Sequence, residues 1–292
     1  MIAASSTAGP GAPDAPGASA ATGSWSGTGA PAGPGAPAAP AAPAAPATHG
    51  APVARRGPLA STVRRLGAYQ LRMLGWFWLI AVPCLVLATV VVDRVMGSVD
   101  VAVSLYARQA AIWFPFSQAI LLVVGTLRVA VASGRTRRTF ARATLVVCAL
   151  NGLAYALVLT GVALAERAVH GSLGWESRIT DVQLATEASP TWMLLLDLAI
   201  TFVIANLAGL LVGIVYLRVG SGWATLALPL TVGPIIVVQY VSGGWVGPLP
   251  IGWASSTAGQ VTTTAAVAAL VTALTVAAYA ALVRTAPIRT TS

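Results

Sequence analysis

The amino-acid sequence predicts an all-α polytopic membrane protein, with six transmembrane helices, an amino-terminal interfacial helix and both termini cytoplasmic. Three observations carry that expectation. Charged residues make up only 9% of the 292, against 57% hydrophobic, at a mean hydropathy of +0.79; soluble domains carry roughly a quarter charged residues. Uncharged apolar runs recur at or above the ~20 residues that a helix needs to cross the hydrocarbon. The arginines gather on alternate connections between those runs, as the positive-inside rule requires.

The net charge of +9 comes from seventeen arginines and no lysine. With so few charges in all, topology and contact with anionic lipid explain it better than nucleic-acid binding. Lysine's absence beside abundant Ala, Gly and Val is also a high-GC signature, which points to the plasma membrane of a bacterium, an actinobacterium by composition. It removes a Walker-type phosphate loop, whose Lys must sit beside the terminal phosphates. Any ATP hydrolysis is therefore expected in a partner, and this chain is expected to bind no cofactor and to be no enzyme. Cys84 and Cys148 each lie in an apolar run and read as small hydrophobes. His49 and His170 belong to no ligand cluster, so no metal site is expected.

Taken in order, residues 1–57 are a Pro/Ala/Gly-rich tail with almost nothing bulky to bury. They read as a disordered cytoplasmic tail with polyproline-II character. The tail lacks the basic start and apolar core of a signal peptide; a spurious upstream start codon is the lesser alternative that would also account for it. Residues 58–292 form the transmembrane domain. At about 100° per residue, Leu59, Val63, Leu66 and Met73 share one face, while Ser61, Arg65, Ala68 and Arg72 fall opposite and Arg64 flanks them. That pattern reads as an interfacial helix ahead of the first span.

The spans are read at about residues 74–92, 112–132, 143–165, 193–217, 223–241 and 258–283. Trp76 and Trp78 anchor the first, which Pro83 kinks. The run 219–283 contains no charge and is too long for one helix, so the Gly/Pro-rich 242–250 divides it. Pro229 and Pro234 make the fifth span bent or partly broken. With the amino terminus inside, twelve arginines fall on cytoplasmic segments and four outside: Arg94, Arg108, Arg167 and Arg178.

Polar residues inside spans are costly and often functional. Asp197 reads either as a carboxylate reaching the water interface or as a gate or ion-pair partner, with Arg178 or Arg167 as the cation. Asn151 and Asn206 read as glue between helices, as do Gln118 and Gln239. Glu166 reads as a solvated helix end. Gly209-x-x-x-Gly213 could let another helix approach closely.

The most informative soluble feature is the short loop between the second and third spans, with Arg135, Arg137, Arg138 and Arg142. Two readings stand for it. The arginines set topology and bind lipid phosphates, or the loop is a short helix whose Phe140 ring anchors it in a partner's groove. Six spans, an interfacial helix and a basic second loop resemble the permease subunits of ABC-2 type ABC transporters. More narrowly, Gly134-Arg135-Thr136-Arg137-Arg138-Thr139-Phe140 is similar to the Gly-x-Thr-Arg-Arg-x-Phe loop of an actinobacterial branch, although Arg135 stands where a small or apolar residue is expected. The resemblance implies that Gly134, Arg135, Thr136, Arg137, Arg138 and Phe140 form a coupling helix seated on an ATPase subunit. It implies a connecting helix over 59–73, with Leu59, Val63, Arg64, Arg65, Leu66 and Arg72, and re-entrant helices at about 243–257.

The expected role is that of the membrane-spanning permease subunit of an ATP-binding cassette transporter, an exporter by family analogy. Its partners would be an ATPase subunit holding ATP and Mg, a second copy or sister permease, and the lipid bilayer, with no nucleic acid. The other class this sequence admits is a non-transport membrane scaffold, sensor or self-immunity protein, which needs no ATPase. An intramembrane enzyme would demand converging acids, His or Ser that the spans do not offer, and Asp197 alone is thin support for a proton-coupled carrier.

Overall fold

A computed structural model describes residues 57–97, 99, 101–175, 178, 179, 182, 184–186, 188–242 and 256–286. The expected tail over 1–57, apart from Gly57, lies outside the described residues, as does nearly all of the segment expected to hold re-entrant helices. Helices make up almost all of the described chain. A single parallel bridge between Val101 and Arg178 is the one β-type pairing among the described residues.

The first helix, α1 (Pro58–Met96), begins with Pro at its first turn, where the missing N–H costs nothing. Ser61 and Thr62 back-bond to the Pro58 carbonyl at 3.0 and 2.7 Å. It ends at Gly97, whose left-handed φ of 76° lets its N–H reach the Asp93 carbonyl at 2.8 Å. Across 39 residues the helix runs ~58 Å at ~1.5 Å per residue, roughly twice the ~30 Å hydrocarbon. The interfacial helix and first span expected as separate elements are thus one uninterrupted rod, and Pro83 sits inside it without ending it. Gly75 is the weak helix former near position 73, and the helix runs through it because Leu71, Arg72, Met73 and Leu74 before it are good helix formers.

A 3-10 turn (Val103–Tyr106) leads into α2 (Ala107–Ala132), followed by α3 (Arg137–Leu173) and α4 (Thr191–Val219). The fifth crossing is broken in two, α5 (Ser221–Leu226) and α6 (Leu228–Val241), with Pro229 opening the second piece and Pro234 inside it. This is the broken span that the prolines predict. The last helix is α7 (Thr257–Arg284), capped by the Ser256 hydroxyl, which accepts from the Gly259 N–H at 3.1 Å. Among the described residues, six crossings, counting α5 and α6 together, are long and apolar enough to traverse a bilayer. The chain is a multi-pass membrane protein.

At the centre stands α4, apolar around its whole circumference, as a helix buried on every side must be. It packs against α2, α3, α6 and α7. Gly209 and Gly213 make the α2 contact possible: a Cβ at Gly209 would collide with the Phe116 carbonyl oxygen, and one at Gly213 would lie 2.9 Å from the Ile120 carbonyl oxygen. Gly152 does the same for α3, where a Cβ would stand 2.7 Å from the Val203 backbone. The small-residue pair on α4 therefore serves a neighbour within the chain, where dispersion between closely packed backbones holds helices together in an apolar solvent. By contrast α1 buries only Thr62, Gln70 and Trp78. Trp78, Phe116, Tyr155, Phe202 and Leu198 fill one part of the core, and Leu127, Phe140, Ile214 and Tyr279 fill a second part nearer the 133–136 turn.

Candidate functional site

The turn between α2 and α3 is built from backbone outward. Ser133 and Arg135 donate their N–H groups to Val129 and Ala130, both at 3.0 Å, which closes the end of α2. Gly134 has a φ of 79°, a left-handed conformation that glycine adopts without strain. Thr136 is then extended, and its hydroxyl accepts from the Thr139 N–H at 3.1 Å, so it caps α3. The turn is tight, and α3 begins at Arg137 itself.

Its arginines divide into two pairs. Arg135 Nη1 donates to the Thr62 hydroxyl on α1 at 2.7 Å, and Arg137 Nη1 donates to the Arg284 carbonyl at the end of α7 at 3.0 Å. A cation on a helix's last carbonyls meets both an orphan acceptor and the negative end of the helix dipole. Arg218, at the end of α4, makes the same kind of contact with the Leu282 carbonyl at 3.3 Å and also bonds Thr285. Arg138 and Arg142 lie one turn apart on the exposed side of α3. On α1, Arg64, Arg65 and Arg72 are likewise exposed at this end of the bundle.

Phe140 corrects the expectation that its ring anchors the loop in a partner. It is 1% exposed and packs with Leu127, Leu210 and Tyr279 inside the chain's own core. Four residues on, the Thr144 hydroxyl sits 2.8 Å from the Tyr279 hydroxyl, so this side of α3 faces α7. The inward side of the early α1 differs as well. Thr62 and Gln70 are buried and Leu66 packs beside them, whereas Leu59 is exposed and Val63 and Met73 are only half-buried.

In the interior, Asn151 donates to Asn206 Oδ1 at 3.1 Å and Asn206 donates to the Phe202 carbonyl at 2.9 Å, joining α3 to α4 as the helix-glue reading holds. Asp197 is not at a water interface. It is 2% exposed and pairs at 3.5 Å with Arg108 of α2, a residue expected outside the bilayer and found 1% exposed. Arg108 Nη2 also donates to Gln239 of α6 at 3.1 Å and to Thr201 of α4 at 3.4 Å. Among the described residues the cation paired with Asp197 is Arg108, because α2 starts at Ala107 and turns Arg108 onto the same inward side as Ala111 and Ile112. One cluster thus ties α2, α4 and the broken crossing together.

Farther along at the same end, Glu166 is no solvated helix end. Its carboxylate accepts from the Val103 N–H at 2.8 Å, the Ser104 N–H at 3.0 Å and the Ser104 hydroxyl. It caps the 3-10 turn and pins the α1–α2 connection onto α3. His170 Nε2 lies 3.8 Å from Glu166, and the His170 ring meets Trp175 edge to face at 5.4 Å. Sequence reasoning passes over Thr62 and the capping role of Glu166, and it assigns Arg108 to the outside. For Arg108 a signal exists, since Arg108, Ile112 and Phe116 follow helical spacing.

Among the described residues, no three His, Cys, Asp or Glu side chains converge as a metal site would need. Comparison of the chain with models of known protein families, with curated proteins and with solved structures yields no match.

Proposed function

We propose that this multi-pass membrane protein is the permease subunit of an ATP-binding cassette exporter, with the α2–α3 turn as the place where a separate ATPase subunit docks. The observation that carries the reading is the division of labour among the loop's arginines. Arg138 and Arg142 face outward, while Arg135 and Arg137 are bonded to the first and last helices. A push on the exposed pair reaches α1 through Thr62 and α7 through the Arg284 carbonyl without passing through a flexible linker. The arginine distribution supports a cytoplasmic position for this end of the bundle under the positive-inside rule; on this reading the membrane is a bacterial plasma membrane with both termini inside. ATP-driven closure of two ATPase subunits would shift two such membrane bodies, the second a copy or sister permease, and switch access to the path between them.

The docked helix differs from the one the family resemblance implies. Phe140 serves the chain's own core, so the docking side consists of Arg138, Arg142 and the exposed turn at Gly134 and Thr136. Co-purification with an ATP-binding cassette ATPase encoded beside this chain tests the reading. Arg138→Glu/Arg142→Glu is expected to lower the recovered ATPase at least tenfold while leaving the thermal unfolding of the membrane subunit in place. Undiminished association of the charge-reversed chain would remove the docking assignment.

A further inference from the structure

At the end of the bundle away from the α2–α3 turn, a groove of about 470 Å3 runs between α1 and α3. Its two ends differ in chemistry. Toward the middle of the bilayer it is walled by Val82, Leu85 and Val86 of α1 and Val162 of α3. Toward the bundle's end it is lined by Asp93, Ser104, Glu166, His170 and Trp175. From Val82 to Asp93 the groove follows ~16 Å of helix at ~1.5 Å per residue. Val86, Val90 and Val169 on its margins are exposed, so it opens sideways to the surrounding bilayer.

The charges there select the occupant. Among the described residues no arginine lines the groove, in a chain whose net charge is +9. Glu166 is engaged by the backbone of the 3-10 turn. Asp93 is half-buried, and its carboxylate has no hydrogen bond or ion pair among the described residues. The Trp175 ring lines the same end, and an aromatic ring beside a carboxylate is a favourable seat for an ammonium group. A carboxylate in a partly dehydrated apolar cleft attracts a cation more strongly than one in open water.

We propose that this groove binds a single-chain cationic amphiphile, its ammonium head between Asp93 and Trp175 and its apolar tail along the valines of α1 and α3. A phospholipid fits less well, because its phosphate would be brought against Asp93 and Glu166. Binding here does not depend on ATPase docking, which concerns the other end of the bundle.

Photolabelling tests it. The full chain in phosphatidylglycerol nanodiscs is exposed to a diazirine-bearing dodecyltrimethylammonium probe, and labelled peptides are mapped by mass spectrometry. Labelling is expected to concentrate in 82–93 and 162–175, to be suppressed by unlabelled dodecyltrimethylammonium, and to persist in excess dodecanol. Asp93→Asn should cut it at least tenfold, Asp93→Glu should retain it, and Val86→Trp should fill the groove and abolish it. Equal labelling of Asp93→Asn, equal competition by dodecanol, or label spread over all bilayer-facing helices would overturn the proposal. Suppression by phosphatidylethanolamine added to the discs would identify a lipid as the occupant and overturn it too. The competition and lipid arms use the unmodified chain, so they decide the matter even where a variant folds poorly.

Discussion

Arginine is used in two ways in this bundle. At the end of the bundle that carries the α2–α3 turn, Arg135, Arg137 and Arg218 bond to hydroxyl and carbonyl oxygens, all neutral partners. In the interior toward the other end, Arg108 meets a carboxylate, Asp197, with both side chains almost fully buried. Water explains the difference. A guanidinium at the surface keeps much of its hydration, so a neutral acceptor suffices and the bond stabilises by a fraction of a kcal/mol to about one. A buried guanidinium has lost that hydration and requires an opposite charge. The turn end is thus held by contacts that can break and re-form, and the ionic cluster is a fixed joint of α2, α4 and α6.

Separating the two kinds of contact experimentally starts with the interior pair. Asp197→Ala removes the carboxylate paired with Arg108, and it should cost about 3–5 kcal/mol of stability, read as a large fall in unfolding temperature in detergent. The double variant Arg108→Met/Asp197→Leu should recover most of that loss, because both charges of the buried pair are removed together. Equal damage in single and double variants would mean that shape, not charge, holds the joint.

A smaller effect is expected at Glu166, whose carboxylate holds two backbone N–H groups. Glu166→Ala should cost about 2–3 kcal/mol and should speed amide exchange at Val103 and Ser104 in hydrogen-exchange mass spectrometry. Gly209→Val presses on the Phe116 carbonyl and should cost about 1–3 kcal/mol, with the α2–α4 contact as the site of accelerated exchange. Smallest is Arg137→Ala, expected below about 1 kcal/mol in unfolding. If it destabilised as much as Asp197→Ala, the distinction between the two ends would fail.

The crossings themselves are legible in the amino-acid order, because length and apolarity suffice to count them and Pro229 marks where the fifth breaks, whereas Pro234 lies inside α6. Which side of each helix faces inward is much harder to read. Lipid is as apolar as a protein core, so hydropathy does not distinguish a valine on bilayer from a valine on a neighbour. Phe140 shows the consequence: a lone aromatic among arginines looks like a free anchor, yet it belongs to the core with Tyr279. Arg108 shows another, since the start of α2 at Ala107, ahead of the apolar run, moves it from a connection into the interior. That Asn151 and Asn206 join helices is accessible from sequence, because an amide in a span needs a hydrogen-bond partner, although the sequence does not pair them with each other. Gly209 and Gly213 signal a close approach without naming α2 as the neighbour.

The central claim is that displacement enters at the α2–α3 turn and reaches α1 and α7 together. Distance measurement by electron spin resonance tests it most directly, on a complex with the proposed ATPase, with Cys84→Ser and labels on Arg65→Cys and Ala281→Cys, both at exposed positions. ATP is expected to shift the α1–α7 distance distribution, and Arg138→Glu/Arg142→Glu to abolish the shift. An ATP-dependent shift of equal size in the charge-reversed chain would contradict the claim.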